Sequence, residues 1–208
     1  MFADIFLSLI LAIILTCAGS LWIDELYRGS SELTFPRKIS SRAQLRKIIL
    51  FIALTAFIFK VLSSTTMPET FFLTAAIFLL MLMTLTDFEQ YMLFDAMTLP
   101  LAIIGLIYSW QMHLNLLEHI TSAAVGGGVF LLLAIISKGA LGGGDIKLIA
   151  ALGLWLGFEK LLNVILIGSI SGGIVAFIML LTKKKDRKSY FAYGPYFALS
   201  AIYFLLLK

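Results

Sequence analysis

The sequence is poor in charged residues and in cysteine. Only 13% of its 208 residues are Asp, Glu, Lys or Arg, against about 25% in a typical soluble domain. The single cysteine, Cys17, lies in an apolar run, which excludes a disulfide framework and a multi-cysteine zinc site. Because 61% of the residues are hydrophobic, we expect an all-α, polytopic integral membrane protein.

Apolar stretches approach, at eight places, the length of about 20 residues that a helix needs to cross a bilayer. They comprise residues 5–23, 48–62, 71–86, 97–112, 120–136, 141–158, 161–181 and 191–207. No linker or clear internal repeat interrupts this pattern. We therefore predict one membrane domain over residues 1–208 with about eight transmembrane helices, and a short cytoplasmic loop over residues 24–47.

Basic residues are concentrated in two expected loops, after the first and the seventh span. They are Arg28, Arg37, Lys38, Arg42, Arg46 and Lys47 in one loop, and Lys183, Lys184, Lys185, Arg187 and Lys188 in the other. The positive-inside rule assigns both loops to the cytoplasm, which agrees with eight spans and two external termini. The net charge of +4 thus reflects topology, so we expect the lipid bilayer as a partner and no nucleic acid.

Aspartates lie at the ends of three expected spans, where an ionisable side chain is costly unless it faces water or has a function. Asp87 ends the third span, Asp95 precedes the fourth and Asp145 begins the sixth. The span lengths predict that Asp87 and Asp145 lie at similar depths near the cytoplasmic boundary. Two carboxylates that share a proton can activate water and protonate a leaving amine, as in aspartic proteases.

Glycines occupy the positions directly before Asp145, namely Gly142, Gly143 and Gly144. Glycine at the start of a helix is unfavourable unless close backbone approach or unusual dihedral angles require it. A polypeptide substrate bound in extended form against this backbone would create that requirement. The glycine clusters at residues 126–128 and 172–173 are better explained by close helix packing.

No other nucleophile or metal-binding motif stands out in the sequence. Cys17 lies in the middle of a span without a nearby histidine. His113 and His119 fall in the expected external loop between the fourth and fifth spans, where we expect them to be solvated. Two histidines at this spacing do not supply the ligands of a zinc site, so we expect no bound metal.

Motifs in three places resemble those of the type IV prepilin peptidases, a family of GxGD membrane aspartic proteases. The family's GxGD motif resembles Gly142-Gly-Gly-Asp145-Ile-Lys147. The family's other aspartate motif resembles Thr86-Asp87 together with Asp95-Ala-Met-Thr98-Leu-Pro100. The late Gly-Pro-aromatic motif is similar to Tyr193-Gly-Pro-Tyr196. The resemblance implies an endopeptidase of the inner membrane that removes basic leader peptides from prepilins or pseudopilins and needs no cofactor.

The same resemblance implies roles for individual residues. Asp87 and Asp145 match the catalytic aspartates, while the supporting motif residues are Gly142, Gly143, Gly144 and Lys147. Phe94 replaces the proline that usually precedes the position of Asp95, so we expect Asp95 to support catalysis rather than perform it. Because the leader peptides are basic, the expected recognition residues are the acidic Glu89 and Asp95.

The segment between Arg28 and Ile39 departs from many family members, which carry a cytoplasmic insert there with paired CxxC motifs. That insert binds zinc and is associated with methylation of the new amino terminus. The sequences on either side of it are similar to residues 19–28 and 39–42 of this chain. The resemblance therefore indicates a short form, and we expect neither bound zinc nor methyl transfer.

Two other functions are compatible with the sequence. A related GxGD protease would cut a different membrane substrate. A small transporter or assembly factor would use its intramembrane carboxylates to carry protons, although the sequence has no inverted repeat or pair of broken helices of the kind common in transporters.

Overall fold

The computed structural model describes residues 2–31, 33–35, 39–138, 141–182 and 191–207. These residues form helices and no strand: α1 (Phe2–Gly29), α2 (Ile39–Ser64), α3 (Met67–Gln90), α4 (Asp95–Gln111), α5 (Leu116–Ile136), α6 (Gly143–Leu181) and α7 (Gly194–Leu206). The prediction of an all-α protein is confirmed. Several of the basic loop residues lie outside the described residues, namely Arg37, Lys38, Lys183, Lys184, Lys185, Arg187 and Lys188.

Long apolar helices confirm that this is a multi-pass membrane protein. In the described part of the chain, α1, α3, α5 and α6 are each long and apolar enough to cross a bilayer. Helices α1 and α2 extend beyond the apolar runs, so that residues 24–29 and 39–47, assigned to a loop from the sequence, are helical. The apolar run marks what the membrane can bury, whereas the helix continues as long as its backbone hydrogen bonds do.

The chain divides into two compact units, Met1–Met92 and Leu93–Lys208. In the first unit α1 packs on α2 and α3, and α2 packs on α3. Its core contains the fully buried side chains Ile23, Leu50, Leu54, Leu80 and Leu82. At Gly19 of α1 an added Cβ would lie 2.7 Å from a methyl carbon of Leu82, so the absence of a side chain allows α1 and α3 to approach closely.

In the second unit α6 packs on α4, α5 and α7. The first part of α6 is antiparallel to α5, because Gly153 contacts Ala123 and Ala150 contacts Gly127 further along α5. The later part of α6 packs on a different helix, α7, and is antiparallel to it. Contacts of Gly168 with Phe197 and of Gly172 with Tyr193 establish this direction.

Gly157 interrupts α6 between these two parts. Its dihedral angles, φ 68° and ψ −175°, are not helical, and this region is accessible almost only to glycine. The count of eight helices is not confirmed, since the described residues contain seven. The difference arises here: the expected spans over residues 141–158 and 161–181 are joined in α6, with the irregular position at Gly157.

Glycine clusters elsewhere in the second unit serve packing, as predicted. An added Cβ would lie 2.7 Å from Leu161 at Gly126, 3.0 Å from Ala150 at Gly127 and 3.0 Å from Tyr193 at Gly172. Within the described structure Gly128 and Gly173 contact nothing within 4 Å of that position. Close packing therefore explains three of the five glycines in these clusters.

His119 differs from the expectation of a solvated loop residue. It lies in the first turn of α5 and is buried. Its Nδ1 lies 3.0 Å from the Ser109 hydroxyl oxygen and 2.9 Å from the Leu154 carbonyl oxygen. The helix begins before the apolar run because Asn115 caps it, accepting a hydrogen bond from the Glu118 amide.

Candidate active site

Asp145 lies in the first turn of α6, after the N-cap residue Gly142. Its amide donates a hydrogen bond of 3.1 Å to the Gly142 carbonyl oxygen. The Oδ1 atom of its carboxyl group is buried and, among the residues described, has no hydrogen-bond partner. A buried carboxyl oxygen with an unmet hydrogen-bonding capacity is suited to meet a water molecule or a substrate group.

The three glycines before Asp145 have different surroundings. An added Cβ at Gly142 would lie 3.2 Å from the Asp145 Oδ2 atom, and one at Gly144 would lie 2.8 Å from the Leu93 Cβ atom. At Gly143 it would meet no described atom within 4 Å. Of the two reasons considered for this glycine run, a left-handed backbone does not apply, because Gly157 is the one glycine with positive φ in the described ranges. Close approach remains the reason for glycine at positions 142 and 144.

Lys147 and Asp95 form an ion pair that joins α6 to the first turn of α4. The Lys147 Nζ atom donates to both carboxylate oxygens of Asp95, each at 2.7 Å. Both side chains are more than half exposed. Exposed ion pairs contribute little stability, about 0–1 kcal/mol, so this pair can exchange partners at low cost.

A cavity of about 520 Å³ opens beside this ion pair within the second unit. Its lining residues come from α4, α5 and α6 and, apart from the ion pair and Thr98, are apolar: Leu99, Ala102, Ala123, Ala124, Ala150, Ala151 and Leu154. Most of them are alanines, whose small side chains leave the space open. The cavity therefore combines an apolar wall with one exposed carboxylate and one exposed ammonium group.

Asp87 lies in the first unit, in the last turn of α3. It is only 5% exposed, and its backbone carbonyl oxygen accepts a hydrogen bond of 2.9 Å from the Tyr91 amide. Tyr91 ends the helix in the left-handed conformation, with φ 55° and ψ 39°. The predicted position of Asp87 near the end of a span agrees with this placement, although α3 continues to Gln90.

Glu89 lies in the same turn and takes part in a buried polar cluster with α1 and α2. Its Oε2 atom accepts hydrogen bonds from the Tyr27 hydroxyl at 2.9 Å and from Arg46 Nη1 at 3.0 Å. The Arg46 side chain is fully buried and also donates to Asp24 and, at 3.3 Å, to the Ser20 hydroxyl. Glu89 is therefore buried and paired rather than solvated, and its role in leader recognition stays a prediction.

Gln90 connects the end of α3 to the segment between α1 and α2. Its side chain accepts a hydrogen bond of 2.7 Å from the Phe35 amide and donates one of 3.2 Å to the Phe35 carbonyl oxygen. Its backbone carbonyl oxygen accepts from the Thr34 hydroxyl at 2.6 Å. The Phe35 ring packs edge to face on Tyr91 at 5.7 Å.

The structure thus distributes the predicted site residues between the two units. Asp87 and Glu89 belong to the first unit, whereas Asp95, Asp145, Lys147 and the three glycines belong to the second. Within the described ranges, no three or more His, Cys, Asp or Glu side chains lie close enough together to hold a metal ion.

The buried cluster around Arg46 differs from the sequence-based expectation, in which Arg46 is one of the basic residues that indicate topology. A signal was present in α1, where Ser20, Asp24 and Tyr27 are spaced by four and three residues. This spacing places polar side chains on one face of an otherwise apolar helix. A buried charged partner on a neighbouring helix is the usual reason for such a face.

Comparison with known proteins relates this chain to membrane peptidases. The sequence model of the type IV leader peptidase family matches residues 74–177, half of the chain, a segment that contains both Asp87 and Asp145. A prepilin leader peptidase/N-methyltransferase of Pectobacterium carotovorum subsp. carotovorum is 32% identical over 135 residues, 62% of this chain and 48% of that protein. No solved structure matches the chain.

Two further relatives carry the same name. The Escherichia coli (strain K12) protein is 34% identical over 148 residues, 65% of this chain and 64% of that protein. The Neisseria gonorrhoeae protein is 37% identical over 119 residues, 54% of this chain and 40% of that protein. The chain therefore spans between 40% and 64% of the length of these relatives.

Proposed function

Because the chain belongs to the type IV leader peptidase family, we propose that it is a membrane-embedded aspartic endopeptidase. Its substrates are type IV prepilins or pseudopilins, from which it removes a basic leader peptide at the cytoplasmic face of the inner membrane. The observation that carries this proposal is the family match over residues 74–177, since that segment contains both candidate catalytic aspartates. In this proposal residues 1–208, with both compact units, act as a single peptidase domain.

Asp87 and Asp145 supply the acid and the base of the reaction. Peptide hydrolysis needs one ionised carboxylate to take a proton from water and one protonated carboxyl group to protonate the leaving amine. Two observations support these roles: Asp87 is buried, and the Oδ1 atom of Asp145 is buried without a hydrogen-bond partner among the described residues. Buried carboxyl groups of this kind are typical of catalytic acids and bases. No cofactor enters this chemistry.

Asp95 is the recognition residue for the basic leader. Its carboxylate is exposed and bound only to the exposed side chain of Lys147 among the contacts described, so a leader lysine or arginine can replace that partner. The adjoining apolar cavity can accept an uncharged part of the same substrate. Lys147 neutralises Asp95 when no substrate is bound.

Eight membrane spans are the topology that we propose, with α6 contributing two of them. A straight helix of the 39 residues in α6 would be nearly 60 Å long, about twice the thickness of the hydrocarbon core. Along α5, Gly157 lies beside Glu118, whereas Leu161 lies beside Gly126 again. This return along α5 and the non-helical Gly157 support a reversal at that residue. This topology keeps the basic loop after α1 in the cytoplasm.

The test is co-expression with a tagged prepilin from the same genome, followed by sequencing of the mature amino terminus. The wild-type chain should produce a shortened substrate, whereas Asp87→Asn and Asp145→Asn should leave it uncut while still inserting into the membrane. Cleavage of an unrelated transmembrane peptide, with the prepilin untouched, would favour a related GxGD protease. If both variants retain full cleavage, the aspartic mechanism is wrong.

A further inference from the structure

The end of α3 that carries Asp87 is held at the three residues that follow Phe88. Glu89 binds Tyr27 of α1 and Arg46 of α2, Gln90 binds the backbone of Phe35, and the Tyr91 ring packs on Phe35. The last turn of a helix normally frays, because its carbonyl groups lack partners within the helix. Here that turn is fixed by contacts from α1, from α2 and from the segment between them.

The polar contacts at Glu89 fix the end of α3 at a high desolvation cost. Arg46 is fully buried and carries one positive charge against the two carboxylates of Asp24 and Glu89. Removing such charges from water cancels much of their attraction, so apolar side chains of similar size commonly give equal or greater stability. Hydrogen bonds differ from apolar contacts because they have a preferred direction, which fixes the positions of the donor and acceptor groups.

We propose that Glu89 and Gln90 are positioning residues for Asp87. Glu89 is two residues from Asp87 on α3, and the Tyr91 amide that donates to the Asp87 carbonyl oxygen belongs to the same turn. A shift of this turn therefore moves the Asp87 carboxyl group. The inference rests on the proposed function, because it assumes that the position of Asp87 limits the rate of peptide hydrolysis.

Positioning and leader recognition predict different kinetics for Glu89 variants. A recognition residue attracts the basic leader by its charge, so Glu89→Ala and Glu89→Gln would both raise KM. A positioning residue acts through hydrogen bonds that the glutamine amide oxygen can still accept from Tyr27 and Arg46. In that case Glu89→Ala lowers kcat with KM unchanged, and Glu89→Gln restores most of the lost rate.

The experiment measures kcat and KM for prepilin cleavage by the 208-residue chain in lipid nanodiscs. Glu89→Ala and Gln90→Ala should each lower kcat by about ten-fold or more with KM unchanged, since small displacements of a catalytic group are that costly. The matched control is Glu25→Ala, which removes an exposed carboxylate of the same unit that pairs only with exposed Arg28 among the contacts described. It should leave both constants at the wild-type values.

Hydrogen exchange at the end of α3 tests the same inference without reference to activity. The amides of residues 86–91 should exchange several-fold faster in Glu89→Ala than in the wild type, in Glu89→Gln or in Glu25→Ala. Unchanged exchange in Glu89→Ala, or a raised KM at normal kcat, would overturn the positioning role while the proposed function stands. If the wild-type chain cuts no prepilin but Glu89→Ala still exchanges faster than the wild type, the proposed function is refuted. The stabilisation of the end of α3 by Glu89 would nevertheless be established.

Discussion

At Asp145 one carboxyl oxygen is buried without a hydrogen-bond partner among the described residues. A buried polar atom that neither water nor substrate reaches costs about 1–3 kcal/mol, and this atom belongs to the residue that we assign to catalysis. Residues kept for their reactivity commonly lower the stability of the fold. Asp145 is thus a residue at which stability and activity can be measured separately.

Asp145→Asn should abolish cleavage without lowering the unfolding temperature of the protein. The amide has nearly the shape of the carboxyl group and carries no charge that burial would penalise, but it can neither take up nor release the proton that hydrolysis needs. Thermal unfolding in detergent, monitored beside prepilin cleavage, checks both parts. A clear fall in unfolding temperature would show that Asp145 is mainly a structural residue.

Asp95→Asn should raise KM for a basic leader by about five-fold and leave kcat within about two-fold, since an exposed charge contributes about 1 kcal/mol of attraction. The difference between variant and wild type should shrink as salt is added, because exposed charges are screened. A prepilin whose leader lysines and arginines are replaced by glutamine is the matched substrate control. Equal KM values for variant and wild type with the basic leader would remove Asp95 from recognition.

Individual residues near the site were predictable to different degrees. Asp145 and Asp95 could be placed because both directly precede or begin apolar helices, and the structure has them in the first turns of α6 and α4. The environment of Glu89 could not be predicted, because its partners Tyr27 and Arg46 are distant in sequence. A charge near the end of an apolar run has the same local sequence whether it faces water or a buried cation.

Among the elements, α6 combines the candidate catalytic end at Asp145 with the irregular position at Gly157. The sequence predicted a division of this region at the charged residues Glu159 and Lys160, which separate two apolar runs. In the structure the irregular position lies two residues earlier than Glu159, at a glycine. Hydropathy indicates which charged residues lie outside the bilayer. The chain can depart from helical geometry only at a residue, such as glycine, that tolerates the required dihedral angles.

Gly157→Ala should destabilise the protein by about 1–3 kcal/mol, since a side chain is strained at a positive φ of this kind. The new Cβ would also lie 3.0 Å from a carboxylate oxygen of Glu118. Gly173→Ala is the matched control in the same helix, where the described atoms leave open space and alanine favours the helix. Denaturant or thermal unfolding of both variants measures the difference, and equal stabilities would contradict the strained conformation.

The glycines before Asp145 allow a graded test by single alanine substitutions. Gly144→Ala should lower stability because its Cβ would meet Leu93 at 2.8 Å. Gly142→Ala should lower kcat with little loss of stability, because its Cβ would lie 3.2 Å from the Asp145 carboxylate and displace it. Gly143→Ala should be the mildest of the three.

Membrane abundance, unfolding temperature and cleavage rate of each glycine variant separate these effects. Three variants with equal losses of stability would show that helix packing alone explains the glycine run. A large loss of cleavage in stable Gly143→Ala would instead indicate that the substrate backbone occupies the open space beside that residue.

On the scale of the whole molecule, the membrane class and the family motifs could be predicted from the sequence, because both depend on composition and short segments. The extents of α1 and α2 could not, since charged residues such as Arg28 continue a helix beyond the apolar run. His119 shows the same limit, because its burial depends on Ser109 and Leu154 of other helices. Long-range contacts decide what local hydropathy leaves open.

The purified protein should cut a prepilin at an unchanged rate in the presence of a zinc chelator and should leave the new amino terminus unmethylated. The prediction follows from the short segment between α1 and α2 and from the single cysteine of the chain. Mass spectrometry of the mature substrate after incubation with labelled S-adenosylmethionine measures methylation. Label on the substrate, or loss of cleavage with chelator that returns on adding zinc, would contradict it.

Arg46 also constrains how the protein is synthesised. During synthesis Asp24 emerges from the ribosome before Arg46, by 22 residues, and Glu89 emerges after it, by 43 residues. When α2 emerges, its guanidinium group therefore has one of its two carboxylates, and the second arrives only with the last turn of α3. Helices α1, α2 and α3 are thus expected to enter the bilayer as one cooperative group rather than one after another.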